Sequence, residues 1–215
     1  MKKIMFNDKY CLTLAVRAGE KTMTRRVEKP TEMADGYTME DVVTVFHEYS
    51  SLLNAHSFSL CDNEKKIGVL NSRYQVGEIV AIAQSYKELY PNADFEMVGN
   101  GFMTESAGWN NKMFVRADLM PHHIRITDVK VERLQDISKE DCLKEGIISI
   151  ECLSIIGDDA YFFAVKRKVR QMYDNILKFF SSPQRAYADL IDKISGRGTW
   201  KRNPWVVAYS FELVD

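Results

Sequence analysis

The densest chemistry in the chain lies near the N-terminus, in Gly19-Glu20-Lys21-Thr22-Met23-Thr24-Arg25-Arg26. A lysine, two threonines and paired arginines follow a glycine able to take the left-handed backbone that ends a helix. Side chains leaving a rigid helix end can be aimed at a ligand. Arg26 has the planar fork that makes paired hydrogen bonds to a phosphate or to the carbonyl edge of a base. The same fork would equally serve an ion pair with Glu28. Read without a ligand, the stretch is a solvated loop leading into an edge strand.

Other chemistry-bearing residues are scattered. Trp109, Trp200 and Trp205 are either core residues or platforms on which a nucleobase stacks. His122-His123 follows Pro121 and has no metal-ligand spacing. Cys11, Cys61, Cys142 and Cys152 contain no CxxC pair and have no histidine nearby, so they read as buried free thiols. Neither a metal nor a cofactor is expected. The basic run Lys166-Arg167-Lys168 with Arg170 is a solvated face or, with Arg197, Lys201 and Arg202, a phosphate track.

The whole chain sets bounds on these options. At 215 residues it suits one domain with insertions and can bury a substantial core. Its 46% apolar and 27% charged residues are those of an ordinary globular protein. A net charge of −1 argues against a generally basic coat for nucleic acid and leaves room for a local patch. The apolar run after Met1-Lys2-Lys3 is too short for a signal peptide, and no stretch is long enough to cross a bilayer. A cytoplasmic location is expected, with no membrane partner.

Several elements must position the Gly19–Arg26 cluster. Lys3 to Phe6 reads as a first strand and Asn7 to Ala18 as a helix, capped by Asn7 or Asp8 and striped by Leu12, Ala15 and Val16. Pro30 and Gly36 break the next stretch into a loop. Thr38 to about Leu53 is expected to be a helix with Val42, Val45, Phe46 and Tyr49 on one face, and His56 to Ser72 a hairpin. Tyr74 to Glu78 makes a turn into a buried strand, Ile79 to Ala83, and Tyr90 to Gly108 is a long loop. Strands are expected at Lys112 to Ala117 and at Ile124 to Leu134, the latter bulged at Thr127-Asp128. Ser138-Lys139-Glu140-Asp141 opens a helix that Gly146 closes. Residues 147–159 read as irregular and Ala160 to Phe180 as a long helix. Ser182-Pro183 starts a helix through Ile194, with Tyr187, Leu190, Ile191 and Ile194 as its apolar stripe, and Trp205 to Val214 alternates as a strand. The class is α+β, without a βαβ rhythm.

Taken in chain order, these features resemble the ASCH domain family, a branch of the PUA-like β-barrels. The resemblance rests on Gly19-x-Lys21-x-x-Thr24-x-Arg26 after the first helix, and on Tyr74-x-Val76-Gly77-Glu78 leading into a strand. It continues through Val129 to Leu134, the helix Asp136 to Gly146, and the final Phe211-Glu212-Leu213. Gly108 to Phe114 and Asn203-Pro204-Trp205-Val206 look like the version common in phages and mobile elements. Residues 1–28, 73–147 and 183–215 are covered; about 29–72 and 148–182 are expected to be insertions in a single domain spanning 1–215.

The resemblance implies a PUA-like mixed β-barrel with flanking helices, binding RNA or a nucleoside or nucleotide in a cleft between barrel and helices. In that cleft Thr22, Arg25, Arg26, Trp109 and Trp205 would contact the ligand. More distantly, the motif is similar to that of bacterial amidohydrolases that deacetylate N4-acetylcytidine. On that reading Thr24 is the nucleophile, Lys21 its base and Glu145 the group orienting the lysine. A threonine needs such a base within hydrogen-bonding reach, and a lysine becomes one only when burial or nearby cations depress its pKa. In a flat strand Lys21 and Thr24 point to opposite faces, so the mechanism requires a bend between them. A third reading, from another class, is a non-catalytic accessory protein whose insertions hold a protein partner.

Overall fold

The computed structural model describes residues 1–50, 55–93, 97–98, 101–152, 160–167 and 176–214. Its strands are β1 (Lys3–Ile4), β2 (Met23–Arg26), β3 (Glu32–Met33), β4 (Thr44–Ser50), β5 (Ala55–Asp62), β6 (Lys65–Asn71) and β7 (Ile79–Ile82). They continue with β8 (Met97–Val98), β9 (Gly101–Phe102), β10 (His123–Arg133), β11 (Ile148–Cys152), β12 (Ala160–Arg167), β13 (Ile176–Phe180) and β14 (Trp205–Leu213). The helices are α1 (Leu12–Arg17), α2 (Tyr86–Leu89), α3 (Lys139–Lys144), α4 (Pro183–Ser195) and α5 (Thr199–Arg202). The class is mixed α+β.

A five-stranded sheet in the order β1-β7-β10-β14-β2 is the centre of the molecule. Among the described residues it is an open sheet with β1 and β2 at its edges, and no closed barrel is formed. Its spine is the long antiparallel pair β10–β14, whose register shifts between Ile126 and Asp128. That is the bulge the phase break at Thr127-Asp128 predicts. Val80, Ala81, Ile82, Ile124 and Ile126 are wholly buried, as a central strand pair covered on both faces requires.

The two stretches without a counterpart in the resemblance each build a sheet of their own. Strands β3 to β6 form one sheet in the order β3-β6-β5-β4, and β11 to β13 form another in the order β11-β12-β13. The first is tied to the central sheet through the carbonyl of Val42. Arg133 Nη2 and Trp205 Nε1 both donate to it at 3.0 Å.

Four expectations are corrected here. Residues 44–50 are a strand, not part of a helix; residues 51–54 of that expected helix lie outside the described residues. Val45, His47 and Tyr49 alternate against Leu60, Phe58 and His56 of β5, and cross-strand pairing of β-branched and aromatic residues outweighs the helical spacing. The long helix expected over 160–180 is instead the strand pair β12–β13, with Phe163 opposite Phe180 and Ala164 opposite Phe179; residues 168–175 lie outside the described residues. Residues 148–152, read as irregular, are the strand that completes this sheet. Residues 112–117 are not a strand but two short 3-10 turns. The carbonyls a strand partner would use are taken by Lys3, whose Nζ donates to Lys112, Met113 and Val115.

The helix expected over 7–18 is also interrupted. A 3-10 turn, Asp8–Tyr10, is capped by Asn7 accepting from Lys9 N, and Cys11 at φ 57° separates it from α1. Helix α3 follows its signals: Ser138 accepts from Asp141 N, and Gly146 at φ 96° ends the turn.

Candidate ligand-binding site

Lys21 is placed by backbone, not by a strand. Gly19 turns at φ 72°, after which the N–H groups of Glu20 and Lys21 both donate to Ala15 O at 2.8 and 3.0 Å. Thr22 N then donates to Lys144 O at 2.9 Å, and Thr22 O accepts from Phe211 N at 2.9 Å. The end of α1 and the end of α3 therefore clamp residues 20–22 from two sides. Gly146 keeps the gap open: a Cβ there would lie 3.3 Å from Leu12 and 3.7 Å from the Lys21 side chain.

The Lys21 side chain is buried, and its Nζ donates to Glu145 Oε2 at 2.6 Å, Glu145 O at 2.8 Å and Met23 O at 2.6 Å. Three acceptors match the three N–H bonds of an ammonium. Burial pulls this lysine below its usual range, with Arg26 and Arg25 adding to the shift and Glu145 opposing it. The resting group is thus a satisfied ammonium whose proton is held less tightly than that of an exposed lysine.

Arg25 is the second buried cation. Its Nε donates to Glu132 Oε1 at 2.7 Å, Nη2 to Asp141 Oδ2 at 2.8 Å and Nη1 to Glu145 Oε1 at 3.2 Å. Burial disfavours its charge, but Glu145 and Glu132 outweigh that and hold the guanidinium more firmly protonated than usual. Glu145 thus gives one oxygen to Lys21 and the other to Arg25. Lys130 Nζ completes the network at 3.0 Å from both Glu132 Oε2 and Asp141 Oδ2.

Lys21, Arg25 and Glu145 of this network form one wall of a cavity of about 460 Å³. Lys21, Thr24, Arg25, Arg26 and Glu145 all line it, facing Tyr187, Leu190, Ile191 and Ile194 of α4, with Phe6 and Leu12 beside them and Arg202 at the end of α5. The strand β2 is an edge strand, and consecutive residues Thr24–Val27 line the cavity, as a free strand edge permits. Lys21 and Thr24 therefore reach one space without a bend inside β2. Among the described residues no hydrogen bond joins Lys21 Nζ to Thr24 Oγ1.

The remaining expected site residues lie elsewhere. Thr22 is not among the lining residues, and the contacts of its backbone are structural. Trp109 packs on a second small core with Tyr86, Met103 and Val115. Trp205 donates to Val42 O and lies under Arg133, whose Cζ is 4.5 Å from the ring centroid. The buried strand β7 does not line the cavity; the wall facing β2 is α4. Among the described residues no group of three or more metal-ligating side chains occurs. No described helix is long and apolar enough to cross a membrane.

Tyr187 was legible in the sequence only as one member of an apolar stripe. Its hydroxyl is buried and has no hydrogen-bond partner among the described residues, and burial pushes the phenol well above its usual pKa, with Glu145 adding. An orphaned buried hydroxyl costs stability, so Tyr187→Phe is expected to be neutral or to stabilise the ligand-free protein by about 1 kcal/mol. Tyr187→Ala, by contrast, leaves a cavity and is expected to cost about 3–5 kcal/mol, as for buried aromatics generally. Urea unfolding of both variants checks the pair.

Asp141 gives the network a pH signature. Burial pushes its carboxyl upward, but hydrogen bonds from Lys130 and Arg25 outweigh that and hold it below the usual carboxylate range. A folded pKa below the unfolded one means that the stabilisation is fully present above the unfolded value of about 3.9 and is lost as pH falls through the lower folded value. Urea midpoints measured from pH 7 to pH 3 should hold until about pH 4 and then fall on this account, and Asp141→Asn should flatten that acid limb.

Comparison of the chain with protein-family models, with curated proteins and with solved structures finds no match.

Proposed function

We propose that the chain binds RNA, or a nucleoside or nucleotide, in the cavity between β2 and α4, as an ASCH-like member of the PUA-like group. The observation that carries this reading is the meeting of Lys21, Thr24, Arg26 and Glu145 in one cavity of about 460 Å³, opposite an apolar wall of Leu190, Ile191 and Ile194 and with Arg202 at its rim. That is the size and character of a small-molecule site, with a few polar groups fixing orientation. The order of the motif segments supports the family assignment: residues 23–26, 79–82, 123–133 and 205–213 join one sheet, and Glu145 ends the helix beside it. Fluorescence anisotropy with a labelled single-stranded RNA at several salt concentrations tests binding. Affinity should fall as salt rises if phosphates are contacted. Salt-independent or absent binding, together with no response to ribonucleosides, overturns the reading.

A second reading, hydrolysis of an N4-acylated cytidine or a similar modified base, is favoured by Lys21, Thr24 and Glu145 lining the same cavity. Thr24 Oγ1 would attack the acyl carbonyl and its proton would pass to Lys21, which must first be neutral. Return of that proton to N4 as the acyl C–N4 bond breaks would release cytidine, and water would then hydrolyse the acyl-threonine to the free acid. Becoming neutral costs Lys21 one of its three buried hydrogen bonds, so ligand entry has to displace Nζ from an acceptor. Release of cytidine from N4-acetylcytidine, abolished by Lys21→Ala and by Thr24→Val, is the expected result. Turnover that survives either substitution removes this mechanism.

A further inference from the structure

The cations around the cavity divide into two groups. Lys21, Arg25 and Lys130 are matched by Glu145, Glu132 and Asp141. Lys144, an exposed lysine, adds a further positive charge 3.5 Å from Asp141. No carboxylate in this network is left over. Arg26 and Arg202 are of the second kind. Arg26 Nη2 donates to Met5 O at 2.6 Å, while its Nε is shut from water and has no acceptor among the described residues. Arg202 donates to Thr199 Oγ1 at 2.9 Å and to Arg197 O at 3.4 Å. Among the described residues neither guanidinium has a carboxylate partner, and Glu145 is the only acid lining the cavity.

We infer that the ligand brings the missing anion: a phosphate held by Arg26 and Arg202, with the flat body of the ligand against Phe6, Leu190 and Ile191. Two guanidinium forks on different elements, β2 and the end of α5, fit the spread oxygens of a phosphate better than a single carbonyl. The Arg26 Cζ lies 5.9 Å from the Phe6 ring centroid, which fixes the fork above an aromatic face. Arg202 at the end of α5 thereby acquires a role apart from Lys166, which pairs with Glu20. This rests on the nucleotide-binding reading above. The phosphate belongs either to a free mononucleotide or to a nucleotide within a single-stranded RNA.

The test compares the four ribonucleoside 5′-monophosphates, the four matching ribonucleosides and a single-stranded RNA decamer by calorimetry at low salt. Wild type, Arg26→Gln, Arg202→Gln and the double variant are measured, and unfolding curves establish that each is folded. Arg202 is exposed, so its variant keeps the test open if Arg26→Gln fails to fold. The expected result is that a monophosphate binds at least about tenfold tighter than its nucleoside, and that either substitution removes most of that difference. If the source is RNA, the decamer binds and the double variant lowers its salt slope by about 0.7, the value for one phosphate on a single strand. Nucleosides and monophosphates binding alike, with Arg202→Gln equal to wild type, overturns the phosphate assignment and leaves the nucleoside reading standing. Failure of every probe to bind wild type overturns both.

Discussion

Glu145→Ala is expected to lower unfolding stability by about 3–5 kcal/mol, because it strands two buried cations. Lys21 Nζ loses the carboxylate oxygen at 2.6 Å and Arg25 Nη1 the one at 3.2 Å, in a place where water does not reach either group. For a chain of this length that corresponds to a drop in Tm of roughly 6–20 °C. Glu145→Gln separates charge from shape: it keeps an acceptor for one cation and should lose less than half as much. Differential scanning calorimetry at pH 7 decides the matter. If Glu145→Ala melts within a degree or two of wild type, the three-way bridge does not exist as described.

Arg25→Ala should be as damaging, by about 3–5 kcal/mol, for the opposite reason. The Arg25 side chain is wholly buried and donates to Glu132, Asp141 and Glu145 from three different nitrogens. Removing it leaves three carboxylates faced by Lys21, Lys130 and the exposed Lys144, none of which reaches all three. Arg25→Lys is not a mild change here, since one ammonium cannot span three acceptors that a planar fork reaches at once. Its expected loss is at least half that of Arg25→Ala. Both variants should also show a shallower acid limb than wild type, because Asp141 loses one of the two donors that hold its carboxyl down and its folded pKa moves toward the unfolded one. An Arg25→Lys protein as stable as wild type would mean that the fork is not what holds this wall together.

These expectations place Arg25 differently from the sequence. A run of Lys21, Thr24, Arg25 and Arg26 announces a polar cluster, yet nothing in it tells which arginine faces a ligand. The edge strand decides: Arg25 turns inward to α3 and β10, while Arg26 keeps a donor without an acceptor. Glu145 was named only through the resemblance, as the nearest match to a glutamate in the helix that Ser138 opens and Gly146 closes. Tyr187 was not legible as a site residue, since a tyrosine in a helical stripe looks like core, and Arg202 was named only within a wider phosphate track that included Arg197 and Lys201. The β10–β14 spine was readable from alternation and from its bulge, which are local features. The strands at 44–50, 160–167 and 176–180 were not, because their apolar residues fit a helix and a strand alike. Only the partner strands, supplied by residues distant in sequence, choose between the two.

The central claim is that the cavity between β2 and α4 is where a nucleoside or nucleotide binds. Methyl-labelled NMR on isoleucine and leucine, with the ribonucleosides, their 5′-monophosphates and N4-acetylcytidine as titrants, tests it most directly. Leu12, Leu190, Ile191 and Ile194 line the cavity, whereas Leu60, Ile67 and Leu70 belong to the sheet built by residues 32–71. The account predicts saturable shifts of the first four methyl groups with at least one titrant, while the latter three stay still. Shifts confined to the second group, or none with any titrant, would contradict it.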